Sequence, residues 1–456
     1  MVDYFRLTLI TVITVAKVML CAVVGMGVSK YFINPKKSEK GLTYISVQIF
    51  LPCLLFSNLC LSVTWEAIGH YYWAPIIACL PILLGTTSSF VAKYLLPKKY
   101  QALLILGGSF QNGLTFPLSI ILNLKGVEWF SGKSAEKAQS YIFLYNIMCS
   151  IGLWAIGEPI IVYFKKCQDE ELARLAENVE AEKEEARGRQ LGDMSFALPF
   201  EEESKEKRSA TSGEQLTWYR PPADNDNPLR PKDYAATGEM ETEGEKEAEE
   251  STLGKVKRIA GQSLRSPPVF VSLLAIFISL TPPLNWLASS FGGQIFLGGF
   301  GILGKAAIPL QLLVLGLTIM SNRSSGEDPE EAAAEGEKIQ EGALAIKMAK
   351  IISPQILFSV LAVTIRLVLL PVICLLVVHL LNTAKIIPQD PIFLLTILVC
   401  TCSPSAINSS LICSLHDYYA KEYAQMIVVM YVAAIASTTG WLFVDILYVQ
   451  WYYSLG

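Results

Sequence analysis

The chain has 456 residues, of which 52% are hydrophobic and 17% are charged, and its formal net charge is −4. That balance excludes nucleic acid as a partner, because nucleic-acid binding needs a basic face, but it does not separate soluble from membrane proteins. The distribution of apolar residues does. Stretches of roughly 20 apolar residues, each about long enough to cross ~30 Å of hydrocarbon as a helix, recur over residues 7–164 and 269–448. The sequence therefore predicts an all-α protein that crosses the lipid bilayer many times.

Apolar runs and the polar residues between them predict ten spans. Five lie near residues 7–32, 42–64, 73–96, 101–123 and 139–164. Five more lie near residues 269–287, 295–320, 351–381, 391–413 and 424–447. We divide the chain accordingly into a first transmembrane unit of residues 1–166, a charged loop of residues 167–265 and a second transmembrane unit of residues 266–456.

The charged loop opens with QDEELARLAENVEAEKEEARGR, in which strong helix formers carry a thin apolar stripe at Leu172, Leu175 and Val179. This pattern favours a continuation of the fifth helix. Beyond it, runs such as EEESKEKRS are too polar to bury a core, so we expect disorder. The acidic insert at residues 323–350 of the second unit is expected to behave in the same way.

Basic residues next to the membrane predict the orientation, because Lys and Arg are retained on the cytosolic side. One set of alternate short loops carries twelve of them and the other set carries five. The lysines that flank the charged loop add to the richer set. We therefore expect the charged loop in the cytosol and both termini outside it.

Prolines stand at matching places in the two halves: Pro52, Pro81 and Pro117 in spans two to four, and Pro309, Pro371 and Pro404 in spans seven to nine. Each proline removes a backbone hydrogen bond that lipid cannot replace, so we expect these helices to be broken. The matching order predicts two homologous halves of five spans. Because five is odd, the second half enters the membrane in the opposite sense, as in the inverted repeats of many secondary transporters.

In such transporters the substrate lies near the midplane, where interrupted helices of both halves meet. Spans four and nine fit best, through the segments GGSFQNGLTFP and CTCSPSAINSS. Asn112 and Gln111 lie beside the first break, and Ser405 and Asn408 lie beside the second. These groups either hydrogen-bond the loosened backbone and hold helices together, or they bind the substrate. We favour binding, because half-helix N-termini would also supply partial positive charge for an anion.

Charges inside spans are expected to face a partner or a cavity. Lys17 lies about halfway along the first span, and substrate-related and structural roles are both open for it. Arg366 lies in the middle of the eighth span, where we favour a structural pairing. Glu158 and Asp445 fall near predicted span ends, so we expect their side chains to reach the interface.

No nucleophile, base and orienting acid can be assembled from the spacing of residues. The cysteines show no metal-type CxxC spacing. We therefore expect a protein that is not an enzyme and has neither a cofactor nor a metal site.

The order of several motifs resembles the auxin efflux carrier superfamily, and more narrowly its PIN-likes branch. These motifs are a Lys in span one followed by VMLCAVVG, then QIFLPCLLFSNL, QNGLTFPLSI, SPPVFVSLLAIFISLTPPL, AAIPLQLLVLG, RLVLLP and SPSAINSS. The resemblance implies a ten-helix fold of two inverted five-helix repeats in which helices four and nine cross. It implies that Gly113, Pro117 and Pro404 form the crossover and that Asn112 is a substrate-facing amide. Asn408 is expected to have the same role, because of its position in the matching break.

The resemblance also implies transport of an auxin-like indole carboxylate or a related small organic anion. It further implies residence in the endoplasmic reticulum membrane and a homodimer. We thus expect a carrier that works by alternating access, without ion coupling. A sodium- or proton-coupled symporter is one alternative, which sodium-dependent transport would favour. A receptor or scaffold that acts through its cytosolic loop is another, for which the helix breaks would be dispensable.

Overall fold

A computed structural model describes residues 4–60, 63, 65–124, 127, 129–130, 132–195, 266–321 and 352–454 of the chain. The chain divides into two compact units, one of Met1–Asp169 with Ile259–Gly456 and one of Glu170–Arg258. Our expectations for the charged loop beyond Ser195 and for the acidic insert at residues 323–350 lie outside the described residues.

The helices before the charged loop are α1 (Tyr4–Val28), α2 (Pro35–Ile45), α3 (Leu51–Leu59), α4 (Trp65–Tyr71), α5 (Trp73–Ala92), α6 (Lys98–Ser109), α7 (Thr115–Asn123), α8 (Gly132–Gly152) and α9 (Glu158–Ser195). Those after it are α10 (Pro267–Leu280), α11 (Pro282–Ser289), α12 (Phe291–Lys305), α13 (Ala307–Ser321), α14 (Pro354–Thr364), α15 (Leu370–Thr383), α16 (Pro391–Thr401), α17 (Asn408–Leu415) and α18 (Ala420–Tyr453). Single π-helical turns join α2 to α3, α8 to α9 and α14 to α15. The expected helical start of the charged loop is confirmed, because α9 runs on to Ser195.

Seven helical stretches of the described residues are long and apolar enough to cross a membrane. They are Leu7–Tyr31, Pro35–Leu59, Trp73–Leu95, Gly132–Leu175, Phe291–Met320, Pro354–Thr383 and Ala420–Tyr453. The pair α10 and α11 is an eighth candidate and is bent by 97°. The single sixth span predicted at residues 269–287 is therefore two helices. Pro282 and Pro283 open α11, where they have no N–H to continue the hydrogen bonding of α10.

The expectation that every proline breaks its helix is wrong. Pro81 lies inside α5, which stays continuous from Trp73 to Ala92. Pro371 leaves the Leu367 carbonyl without its helical donor, and that carbonyl accepts instead from Ser437 Oγ (2.7 Å) and Trp441 Nε1 (2.9 Å) of α18. A membrane helix tolerates proline where a neighbouring helix supplies the missing bond, and α14 to α15 is such a case.

The helices form two groups by their packing. In the first group, α1 packs against α13, and α3 packs against α10 and α12. In the second group, α5 packs against α6 and α8, while α16 packs against α8 and α18. The groups meet where α1 lies against α18 and where α17 lies against α2 and α13. The space between them contains the candidate site.

Glycine lets α1 and α13 of the first helix group touch backbone to backbone. A Cβ added at Gly316 would lie 2.0 Å from the Ala22 carbonyl oxygen, and one at Gly25 would lie 2.2 Å from the Leu313 carbonyl oxygen. Small residues at helix contacts give close packing in membranes, where no hydrophobic force brings helices together. This pair of helices therefore depends on its glycines.

We expect Gly316→Ala to destabilise the purified protein by about 1–3 kcal/mol, the usual cost of an extra carbon in a packed interior. The measurement is the midpoint of thermal unfolding in detergent. Gly299→Ala in α12 is the matched control, because a Cβ there meets nothing within 4 Å. Equal midpoints for the two variants would contradict the close contact.

Candidate functional site

Two helix breaks pair with each other near the middle of the protein. Residues 110–114 separate α6 from α7, and residues 402–407 separate α16 from α17; we call these two segments the crossing. Asn112 N donates to Pro404 O (2.8 Å) and Ala406 N donates to Phe110 O (3.0 Å). Gln111 and Ser405 form an antiparallel bridge. Each break thus satisfies backbone groups of the other, which water cannot do inside a bilayer.

Ser405 holds the crossing together and does not line a binding space. Its Oγ donates to the Gly107 carbonyl and lies 2.9 Å from Met430 Sδ. The side chain is fully buried by these contacts. In this structure the Ser405 hydroxyl is bonded to α6, and the expectation that it contacts substrate stays a prediction.

Arg366 lies behind the crossing with 0% of its surface exposed. Its Nε donates to Ser403 O (2.9 Å) and its Nη2 to Thr401 O (3.2 Å), so it caps the end of α16. Nη2 also donates to Gln111 Oε1, and Gln111 Nε2 donates to the Tyr145 hydroxyl. The structural pairing favoured for Arg366 is confirmed, with carbonyl groups as its partners.

A cavity of about 60 Å³ lies beside the crossing, between the two helix groups. Its apolar wall includes Leu51 and Leu55 of α3 and Ile308 of α13. Five side-chain amides also line it: Gln111, Asn112, Asn146, Gln311 and Asn408. Small-molecule sites usually enclose about 300–1,000 Å³. The walls must therefore move apart before an organic solute fits.

Asn112 and Asn408 both lie in the cavity wall, where the sequence places them together. Asn112 Oδ1 accepts from Thr115 N (3.1 Å) and Thr115 Oγ1 (2.8 Å), so it caps the N-terminus of α7. Its Nδ2 donates to the Tyr431 hydroxyl (2.8 Å). Asn408 is the first residue of α17 and is half-buried. Asn112 thus supports the loosened backbone and faces the cavity, two roles that the sequence presents as alternatives.

The three crossover residues have different positions. Gly113 lies in the cavity wall, and a Cβ there would be 2.8 Å from Cys149 Sγ. Pro404 lies in the crossing, where its carbonyl accepts from Asn112. Pro117 lies outside the crossing, as the third residue of α7. It fits there because the first turn of a helix has free N–H groups, so a proline costs no hydrogen bond.

Lys17 is away from the cavity. Its side chain is exposed on α1, on the same face as the exposed residues Ile13, Leu20 and Val24. Among the described residues, the cavity wall contains no part of α1. The structure therefore does not bring Lys17 together with the two amides.

The expectation that Asp445 reaches the interface is wrong. Asp445 is 1% exposed and accepts a weak bond from Cys402 Sγ (3.6 Å). It is buried because α18 continues to Tyr453, beyond the predicted end at residue 447. Glu158 accepts from Ser266 Oγ (3.0 Å) and pairs with His416 Nε2 (3.1 Å). These partners are compatible with a position at the interface, so the expectation for Glu158 stays a prediction.

Sequence reasoning missed Gln311, Asn146 and Tyr431. Gln311 is 3% exposed, and its Nε2 has no hydrogen-bond partner within the described part of the chain. A buried donor of this kind is costly unless a ligand or water satisfies it. The available signal was a glutamine in the apolar run IPLQLL. Asn146 and Tyr431 gave none, because only the fold brings α8 and α18 to the crossing.

A family model described as "Membrane transport protein" matches residues 10–442 of the chain. The chain is 21% identical over 454 residues to the protein PIN-LIKES 2 of Arabidopsis thaliana, covering 94% of this chain and 92% of that protein. It is 22% identical over 440 residues to an uncharacterised transporter of Schizosaccharomyces pombe, covering 90% and 89%. An uncharacterised transporter of Saccharomyces cerevisiae is 27% identical over 147 residues, which is 31% of this chain and 26% of that protein.

The tight contact of Gly113 with α8 gives a test of the cavity wall. We expect Gly113→Ala to lower the midpoint of thermal unfolding, because its new methyl group would overlap Cys149 Sγ, at a cost of about 1–3 kcal/mol. Cys149→Ala removes that sulfur, so the double variant should recover stability beyond the sum of the two single effects. Purely additive midpoints would show that the two residues do not touch.

Proposed function

The chain belongs to the membrane transport protein family, which includes the auxin efflux carriers, and on that premise we propose that it is a secondary carrier of a small organic anion that works by alternating access. Family membership makes it a multi-pass membrane transporter and not an enzyme. The observation that carries the proposal is the amide-lined cavity, which lies between two helix groups beside two paired helix breaks.

The proposed fold has ten spans. The broken helices α6–α7 and α16–α17, counted with the seven continuous spans and the bent pair, give that number. Each broken helix would be the fourth span of its half. We propose that the halves are inverted five-helix repeats, with the charged loop between them as a separate segment.

The cavity suits a solute with one oxygen-rich end and one apolar body. Amide groups of Asn112, Asn408 and Gln311 can donate to a carboxylate, and the N-termini of α7 and α17 start at the same wall. Helix N-termini favour negative charge. The leucine and isoleucine wall suits a ring or an alkyl chain. An indole carboxylate has this shape and chemistry, and we propose it as the type of substrate.

Polar contacts close one side of the space between the helix groups. Glu39 of α2 is buried, and its Oε1 accepts from Thr318 Oγ1 of α13 (2.7 Å) and from Ser414 Oγ of α17 (3.0 Å). Lys40 next to it pairs with Asp417. Thr318 lies seven residues beyond Gln311 of the cavity wall, about 10 Å along the helix. This contact supports a state that is closed on the side of Lys40.

That closed side would face the cytosol, because the short loops richer in Lys and Arg include the one that contains Lys36 and Lys37. We propose residence in the endoplasmic reticulum membrane, with the charged loop in the cytosol, from the resemblance to the PIN-likes. Among the described residues the cavity wall contains no carboxylate. This favours a passive or potential-driven carrier over a sodium- or proton-coupled symporter, for which transport would stop when the ion is removed.

Reconstituted protein should take up radiolabelled indole-3-acetate or a related organic anion with saturation. Asn112→Ala should lower uptake at limiting substrate by about tenfold, the effect of losing roughly 1.4 kcal/mol of hydrogen bonding. The control is Asn123→Ala, since the exposed Asn123 side chain bonds Ser119 O within its own helix. Unchanged uptake kinetics in Asn112→Ala would show that Asn112 is not part of the substrate site. A folded protein that moves no anion would favour the scaffold alternative.

Charge reversal at the closed side gives a test that needs no substrate. Lys40→Asp should repel Asp417 and speed maleimide labelling of the cavity residue Cys149 from that side. The rate should rise up to about fivefold, since exposed ion pairs contribute about 0.2–1 kcal/mol. Mass spectrometry of peptides separates Cys149 from the other cysteines. Adding Asp417→Lys should restore slow labelling. Failure of this rescue would contradict the view that the Lys40–Asp417 pair keeps that side closed.

A further inference from the structure

Arg366 has a positive charge that its contacts do not require. Its hydrogen bonds go to two backbone carbonyls and one amide oxygen, and among the described residues no carboxylate bonds to it. Its Nη1 is buried and has no partner there. Burying a charge in a bilayer is costly unless it is paired or serves a site. A neutral donor could satisfy the same oxygens at a lower cost, so capping α16 does not explain the charge.

An acidic side chain contacts the crossing, but it has no hydrogen bond to Arg366. Asp445 of α18 contacts the segment that follows α16, through Cys402 Sγ. Arg366 holds the residues on either side of that cysteine, through Thr401 O and Ser403 O. The two side chains therefore reach the same segment without a hydrogen bond between them.

Gln111 connects the guanidinium to the cavity. Its Oε1 accepts from Arg366 Nη2, and its side chain is part of the cavity wall. The charge is thus one side chain away from the space that would hold a solute. Because Arg366 occupies the oxygen of this amide, the amide presents its NH₂ group toward Tyr145 and Cys149, and Cys149 also lines the cavity. Both hydrogens of that NH₂ group are donated to these two acceptors, so the field of the buried guanidinium reaches the cavity, and not a free donor.

We propose that Arg366 gives the cavity its selectivity for anions over neutral solutes of the same shape. Arg366 is a positioning residue that acts through its electric field across Gln111 and does not touch the solute. This inference rests on the proposed function of the same cavity. The interaction is strong because Arg366 is fully buried, so solvent screens its charge little.

The experiment compares binding of indole-3-acetate and of its neutral isostere indole-3-acetamide to protein in lipid nanodiscs. Wild type should bind the acetate at least about tenfold more tightly, which corresponds to about 1.4 kcal/mol. Arg366→Met should lose this preference, through weaker acetate binding with nearly unchanged acetamide binding. Arg366→Lys keeps the charge and should keep most of the preference. Asp445→Asn changes another buried acidic side chain at the crossing, and it should retain the preference.

An equal loss of affinity for both ligands in Arg366→Met would show a purely structural role and overturn the proposal. If Arg366→Met does not fold, Arg366→Gln tests the same charge, because a neutral amide can still donate to the carbonyls of Thr401 and Ser403. It should also lose the preference for acetate, and an unchanged preference would overturn the proposal. Wild type that binds neither ligand would overturn the proposed function itself. Wild type that binds both equally would overturn the role of Arg366 alone.

Discussion

Backbone groups inside a bilayer must find partners within the protein, and the crossing is where this chain meets that requirement most visibly. Residues 110–114 and 402–407 leave helical geometry, so their N–H and C=O groups cannot bond within their own helices. The bonds from Asn112 N to Pro404 O and from Ala406 N to Phe110 O join the two segments. The cavity, the amides around it and the capping by Arg366 all exist because the two breaks face each other.

Sequence patterns identified the crossing because its signals are local. Glycine, proline and an amide occur together within a few residues at both breaks, and these residue types have a direct meaning in an apolar span. Residues brought in by tertiary packing gave no such signal, as with Tyr431 of α18 and Asn146 of α8. The effect of Pro81 was also not predictable, because whether a proline breaks a helix depends on its neighbours. Asp445 was misplaced because the last helix was predicted to end at residue 447. The helix α18 continues for six more residues, to Tyr453.

The amides that line the cavity come from both helix groups. Gln311 comes from the first group, while Asn112 and Asn408 come from the second. In the proposed carrier, a solute held by all three would connect the two helix groups. Glu39 connects the same groups through Ser414 at one side. A carrier needs this arrangement, because its site must stay intact while the access route changes sides.

The pairing of the two breaks also constrains how the protein is made. About 290 residues of chain separate Asn112 from Pro404. At a synthesis rate of about 5–20 residues per second, the second break is synthesised roughly 15–60 seconds after the first. During that interval the amide of Asn112 lacks its acceptor, so the early half of the protein must be sheltered from lipid by the insertion machinery or remain partly outside the membrane.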